Sequence, residues 1–150
     1  VNIKTKLAVP ALAALLLGGP GLAPANAGTE HPHWNQTVKC ETKDRDGRRI
    51  PTRVGNGDLG WNHFSGKHNI RKCAILAAGL RDKVDKVDGP RLEYLAKAIH
   101  NGRKVITIKI IVQYARQTKD KKYRVKKGEV VGVITAYCVG MNKCPNWVNQ

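Results

Sequence analysis

The stretch Val105-Ile106-Thr107-Ile108-Lys109-Ile110-Ile111-Val112-Gln113-Tyr114 sets the fold class. Ile106, Ile108, Ile110, Val112 and Tyr114 alternate with Val105, Thr107, Lys109, Ile111 and Gln113, the period of two that a long, half-buried strand requires. Downstream, Thr118–Lys122 is charged and fits a turn. Lys122–Lys126 reads as a second strand and, after a turn at Lys127-Gly128, Glu129–Val139 reads as a third. The short connections favour antiparallel pairing. On the last run Val131, Val133, Thr135, Tyr137 and Val139 are expected on one face, with Val130, Ile134, Ala136 and Cys138 on the other.

Upstream of this sheet the period changes. In Ile70–Val87 the residues Ile70, Cys73, Ala74, Ala77, Leu80 and Val84 recur at three- and four-residue steps and predict a helix, weakened at Gly79 by about 1 kcal/mol against Ala. Asp88-Gly89-Pro90 opens a second helix, with Pro90 at its first position, a stripe of Leu92, Leu95, Ala96 and Ile99, and Gly102 as its stop. His100 then falls in the last turn, where the helix dipole favours a cation. Asp58 is placed to cap a short helix from Leu59. Thr37–Glu41 and Arg48–Val54 flank the turn cluster Asp44-Arg45-Asp46-Gly47 and predict a hairpin. Gly28–Gln36 reads as a loose lead-in and Gly140–Gln150 as a loop. The class is α+β: an N-terminal hairpin and helices, followed by a C-terminal antiparallel β-sheet.

The chain has 150 residues, 41% of them hydrophobic, enough for one core and too few for separate nucleotide and substrate domains. Val1–Lys6 carries Lys4 and Lys6 and no acid, Leu7–Leu17 is apolar, and Ala25-Asn26-Ala27 is a small-x-small site. Residues 1–27 therefore read as a secretory signal peptide. The apolar run is too short to span a membrane, which takes about 20 residues. Residues 28–150 read as a single disulfide-stapled domain. No stable membrane insertion is expected after cleavage, and the mature protein is expected to be a monomer.

Export makes two disulfides the expectation for Cys40, Cys73, Cys138 and Cys144. No C-x-x-C spacing suggests zinc, and no metal or cofactor is expected. Of the three possible pairings, Cys40–Cys73 with Cys138–Cys144 is preferred: the first pins the N-terminal segment and the second closes a short loop. The other two pairings stay open.

The chain carries 27 Lys+Arg against 11 Asp+Glu, a formal charge of +16. Loss of Lys4 and Lys6 leaves 16 − 2 = +14, well beyond the magnitude of about 2–8 usual for a small domain. Such a surface suits a polyanion: nucleic acid, an anionic envelope polymer or a lipid surface. Arg71, Lys72, Lys109 and Lys122 are the expected RNA contacts. A solvated basic face needs no such partner, so the charge gives a partner class only.

Gly60-Trp61-Asn62-His63-Phe64-Ser65-Gly66-Lys67-His68-Asn69 holds the residue types that RNA cleavage through the 2′-hydroxyl needs. Histidine serves as acid or base near neutrality, and lysine supplies a fixed cation. On an ideal helix, Trp61, Phe64 and His68 fall on one face and His63 and Lys67 on another, so the histidines face one phosphate only if Gly66 ends the helix. Trp61 and Phe64 equally suit core anchors, with the histidines at the surface. Thr135 and Tyr137 are ordinary strand formers, or a phosphate or base contact and a stacking or phosphate-orienting group.

The order Gly60-Trp61-Asn62-His63, Lys67-His68, a helical stretch and a terminal sheet bearing Ile134-Thr135-Ala136-Tyr137 resembles the small RNase toxin domains of bacterial polymorphic and contact-dependent toxins. These form the barnase–EndoU–colicin–RelE-like grouping. The resemblance covers Arg48 to Val139. It implies metal-independent endoribonuclease activity, often on tRNA, leaving a 2′,3′-cyclic phosphate, and an acidic immunity protein as a partner. It implies His63 and His68 as the acid–base pair, Lys67 as the stabilising cation, and Thr135 and Tyr137 as supporting residues. Two departures stand out: a signal peptide leads straight into the domain, and Cys138 follows Tyr137 where proline is expected. The rival readings are a non-enzymatic cationic protein binding anionic envelope polymer or membrane, for example as an antimicrobial, and a secreted structural or inhibitor-like module.

Overall fold

The alternating stretch forms the strand at the centre of the domain. The computed structural model describes residues 31–150; the expected signal peptide lies outside them. Strands β1 (Asn35–Lys43) and β2 (Arg49–Gly55) form an antiparallel hairpin. Helices α1 (Trp61–Lys67) and α2 (Cys73–Leu80) follow. Then β3 (Lys86–Asp88), β4 (Arg91–His100), β5 (Lys104–Gln113) and β6 (Gly132–Cys138) make a four-stranded antiparallel sheet in sequence order. A 3-10 turn over Asn146–Asn149 closes the chain. The class is α+β.

Ile106, Ile108, Ile110 and Val112 point into the core with Leu92 and Tyr94 of β4. That face is covered by Ile50, Phe64, Ile70, Leu76, Leu80 and Val148 from the hairpin, the helical segment and the C-terminal turn. α2 comes so close to the sheet that a Cβ on Gly79 would lie 2.6 Å from Ile110 Cδ1. The residue that weakens the helix intrinsically is the one that lets it dock.

The expected helices are corrected first. The segment Pro90–Gly102 holds strand β4 (Arg91–His100), not a helix. Asp88-Gly89-Pro90-Arg91 and Asn101-Gly102 are hairpin turns, with positive φ at Gly89, Asn101 and Gly102, and Asn-Gly is a strong hairpin signal. Alternation buries Leu92 and Tyr94 and leaves Leu95 and Ile99 outside, so the helical stripe of Leu92, Leu95, Ala96 and Ile99 is split between faces. His100 accordingly ends a strand and stacks on Trp147 at 4.7 Å. The helix expected over Ile70–Val87 spans only Cys73–Leu80, because residues 86–88 are drawn into the sheet.

The expected strand Lys122–Lys126 contributes only an isolated bridge, Gln117–Arg124. Asp58 caps no helix: α1 begins at Trp61, Gly60 is its N-cap and no side chain caps it, and the Asp58 carboxylate binds Lys122 and Tyr123. The lead-in is anchored by Trp34, buried edge-on against Tyr123 at 5.8 Å. In β6 a register shift inserts Ile134 as an extra residue. Val133 therefore joins Ala136 and Cys138 in the core, while Thr135 and Tyr137 share the opposite face without Val133 beside them.

Disulfides pair Cys40 with Cys73 and Cys138 with Cys144. The first joins β1 to α2. The second closes the loop after β6.

The hairpin is also tied to the sheet through a buried polar contact. Asp44 accepts from the backbone N–H of Asp46 and Arg48, from Arg48 Nε at 2.7 Å and from the Tyr94 hydroxyl at 2.7 Å. Burial pushes this carboxyl up, but the bonds from Tyr94 and Arg48 outweigh it and hold the group below its ordinary 3.8. The contribution is thus intact above pH 3.8 and lost as pH falls through the lower folded value. Tyr94→Phe, measured by chemical denaturation at pH 7, should destabilise by roughly 1.5–3 kcal/mol, as expected for a hydrogen bond to a charged group. The loss should shrink in acid; an unchanged stability at pH 7 contradicts this linkage.

Candidate active site

Gly60 places α1. It has φ 78°, its N–H donates to the Ile134 carbonyl at 2.8 Å, and a Cβ there would lie 2.8 Å from the Arg53 carbonyl. Only glycine fits. The start of α1 is thereby held on the free edge of β6. Phe64 then enters the core, and Trp61 meets it edge-on at 5.5 Å. The helix ends at Asn69, whose φ of 60° is left-handed, a conformation asparagine tolerates. Asn69 is held there by bonds to the Cys144 carbonyl at 2.8 Å and Asn146 Oδ1 at 2.9 Å.

His68, the C-cap, stays in the right-handed helical region and donates its N–H to the Phe64 carbonyl at 3.0 Å. The rings of His63 and His68 meet at 5.3 Å, edge to face. The separation onto two faces expected from an ideal helix does not occur, although the helix runs past Gly66 to Lys67. His63 Nδ1 lies 2.7 Å from the Gly57 carbonyl, and His68 Nδ1 lies 3.2 Å from the Asn142 carbonyl. A carbonyl can only accept, so these partners assign the proton to each Nδ1 and leave each Nε2 to give or take one. The Tyr137 ring lies 5.6 Å from His68.

His68 is fixed by the loop that the second disulfide closes. Asn142 sits inside that loop, and the Cys144 N–H donates to the His68 carbonyl at 2.9 Å. Burial, together with the positive charges of His63 and Lys67, outweighs the Asn142 bond and holds His68 below its ordinary 6.5.

The other expected residues are placed less closely. Lys67 is exposed in the last turn of α1. The Thr135 hydroxyl is buried with no partner among the described residues. Lys109, opposite Tyr137 in the sheet, binds Glu93 at 3.1 Å, and Lys122 binds Asp58 at 2.6 Å. Arg71 and Lys72 lie exposed between α1 and α2. The four expected RNA contacts thus occupy three separate places. Sequence reasoning missed Gly57 and Asn142, because backbone carbonyls carry no side-chain signature. It also missed Asn69, which an asparagine directly after a helical run would have flagged as a stop.

Among the described residues no cluster of three His, Cys, Asp or Glu is placed to hold a metal ion, and no helix is long and apolar enough to cross a membrane. No family model, curated protein or solved structure matches the chain.

In an NMR titration the His68 imidazole should titrate below 6.5. Replacing Cys138 and Cys144 together by Ser should move it toward 6.5, as the loop loosens and solvent returns. A wild-type value at or above 6.5 contradicts the described burial.

Proposed function

We propose that the chain is a secreted, disulfide-stapled endoribonuclease toxin that cleaves RNA through the 2′-hydroxyl. The observation that carries this reading is the His63–His68 pair, with rings 5.3 Å apart and each Nδ1 turned onto a backbone carbonyl. His68, held toward its neutral form, takes the 2′-hydroxyl proton on Nε2. The 2′-oxygen attacks phosphorus, the bond from phosphorus to the 5′-oxygen breaks, and protonated His63 gives its Nε2 proton to that oxygen. The products are a 2′,3′-cyclic phosphate and a 5′-hydroxyl. Lys67 opposes the charge that builds on the phosphorane, and Tyr137 lies beside His68 to orient the phosphate or stack on a base. Thr135 supports that strand.

The reaction needs no metal, and the charge of +16 draws in the polyanion. The signal-like N-terminus and the two disulfides support export. tRNA as the substrate and an acidic immunity protein as a partner rest on the toxin resemblance alone. A second reading, a cationic membrane binder, is favoured by Ile99 and Val105, which are 63% and 56% exposed at the tip of the β4–β5 hairpin beside Arg103.

Purified mature protein should cut total tRNA in EDTA, leaving cyclic phosphate ends, while the membrane reading expects vesicle binding and intact RNA. His63→Ala and His68→Ala should each slow cleavage by about 10²–10⁴-fold with little change in RNA affinity. The acid limb of the rate profile should lie below pH 6.5, following His68. Full activity in a folded His63→Ala protein, or intact RNA across pH 5–8, contradicts the proposal.

A further inference from the structure

The exposed apolar side chains are not spread evenly over the surface. Seven large hydrophobic residues are exposed among the described residues, and five of them, Leu95, Ile99, Val105, Val139 and Met141, belong to one end of the four-stranded sheet and the turn that leaves it. Ile99 pairs with Val105 and Leu95 with Lys109, so these apolar residues share the sheet face opposite Tyr94 and Ile108. Val139 donates its N–H to the Thr107 carbonyl at 2.8 Å, and Met141 follows in the turn. Single exposed aliphatics mean little; gathered together they mark an interaction surface.

The same end stands clear of its neighbouring strands. β3 pairs only with Arg91–Glu93 of β4, and the β6 side leaves β5 at Thr107. Beyond those points β4 and β5 pair only with each other, up to the Asn101-Gly102 turn. The apolar residues are thus carried on a hairpin tip.

The charge at this end says what the tip meets. Lys97, Arg103 and Lys143 are exposed, and none has an ion-pair partner among the described residues. Lys97 donates to the Thr107 hydroxyl at 2.7 Å instead. No Asp or Glu occurs in residues 95–119 or 130–150. The acids that border the patch stand toward β3: Glu93, matched to Lys109 and Arg91, and Asp85, which accepts from the Leu95 N–H. An RNA strand would take the cations and leave the aliphatics in water, because bases stack on aromatic rings. A second copy would set like charges against each other. An anionic bilayer satisfies both halves: aliphatic side chains enter the headgroup region while the cations meet lipid phosphates.

We infer that the tip of the β4–β5 hairpin, with the turn after β6, docks the protein onto an anionic phospholipid bilayer. Ile99 and Val105 enter the interface, and Lys97, Arg103 and Lys143 lie on the phosphates. The inference goes beyond the endoribonuclease reading and does not rest on it.

The test is co-sedimentation of the purified mature protein with vesicles of phosphatidylcholine alone or of equal parts phosphatidylcholine and phosphatidylglycerol. The expected result is binding to the mixed vesicles at about 0.1 M salt, with a fraction that survives about 1 M salt, where charges are screened beyond about 3 Å, and weaker binding to phosphatidylcholine. Ile99→Thr with Val105→Thr keeps the net charge and the strand propensity; it should weaken binding by at least about tenfold and remove the salt-resistant fraction. If that pair does not fold, Leu95→Thr with Val139→Thr decides, with the same expected loss. No vesicle binding overturns the inference. Binding that the threonines leave unchanged is bulk charge attraction and overturns it too, as does self-association of the free protein that the threonines abolish, which assigns the tip to a second copy. Vesicle binding with intact RNA sinks the nuclease reading alone. RNA cleavage without vesicle binding sinks this inference alone.

Discussion

The Cys138–Cys144 bond, six residues apart in sequence, holds the loop on which the position of His68 depends. Cys138 is the last residue of β6 and is buried in the core; Cys144 is buried as well and donates its N–H to the His68 carbonyl. Between them Asn142 supplies the carbonyl that sets the His68 tautomer. Asn69, which ends α1, bonds back to Cys144 and Asn146. A short covalent loop thus fixes the helix end, the imidazole and, through Tyr137 beside Cys138, the ring that faces it. The proton transfer proposed for His68 requires a side chain held within a few tenths of an ångström of its reacting partner, and covalent and backbone bonds are what position His68.

The rest of the domain serves to keep β6 where it is. One face of the sheet is buried beneath both helices and the hairpin, and the Tyr94–Asp44 bond joins the hairpin turn to β4 through that core. The other face carries Thr135, Tyr137, Lys109 and Glu93. The extra residue Ile134 ends the strict alternation of β6 and packs its own side chain against the cluster of Trp34, Leu59, Tyr123, Val125 and Val131. Bulges often sit beside functional sites because they re-aim one side chain without unpairing the strand.

The alternation of β5 was legible because every second residue from Ile106 to Val112 is a large aliphatic, and nothing else in that window competes. Pro90–Gly102 misled because Leu92, Leu95, Ala96 and Ile99 satisfy a helical period while Leu92, Tyr94, Ala96 and Ala98 satisfy a strand period equally well. The Asn101-Gly102 turn would have decided between them. The two histidines stood out as residue types, but their meeting was not legible, since an ideal helix sets them on two faces and the Gly57 and Asn142 carbonyls that hold them are announced by no side chain.

A charge of +16 would bind RNA or DNA alike, so affinity does not separate the chemistry proposed for His63 and His68 from a merely cationic surface. The 2′-hydroxyl does, because it is the nucleophile. The most direct measurement compares, in EDTA, a single-stranded RNA with the same sequence carrying 2′-deoxyribose throughout. The expected result is cleavage of the RNA to cyclic phosphate ends and an intact deoxy strand that binds in a salt-dependent way. Cutting of both strands, or of neither, contradicts the account.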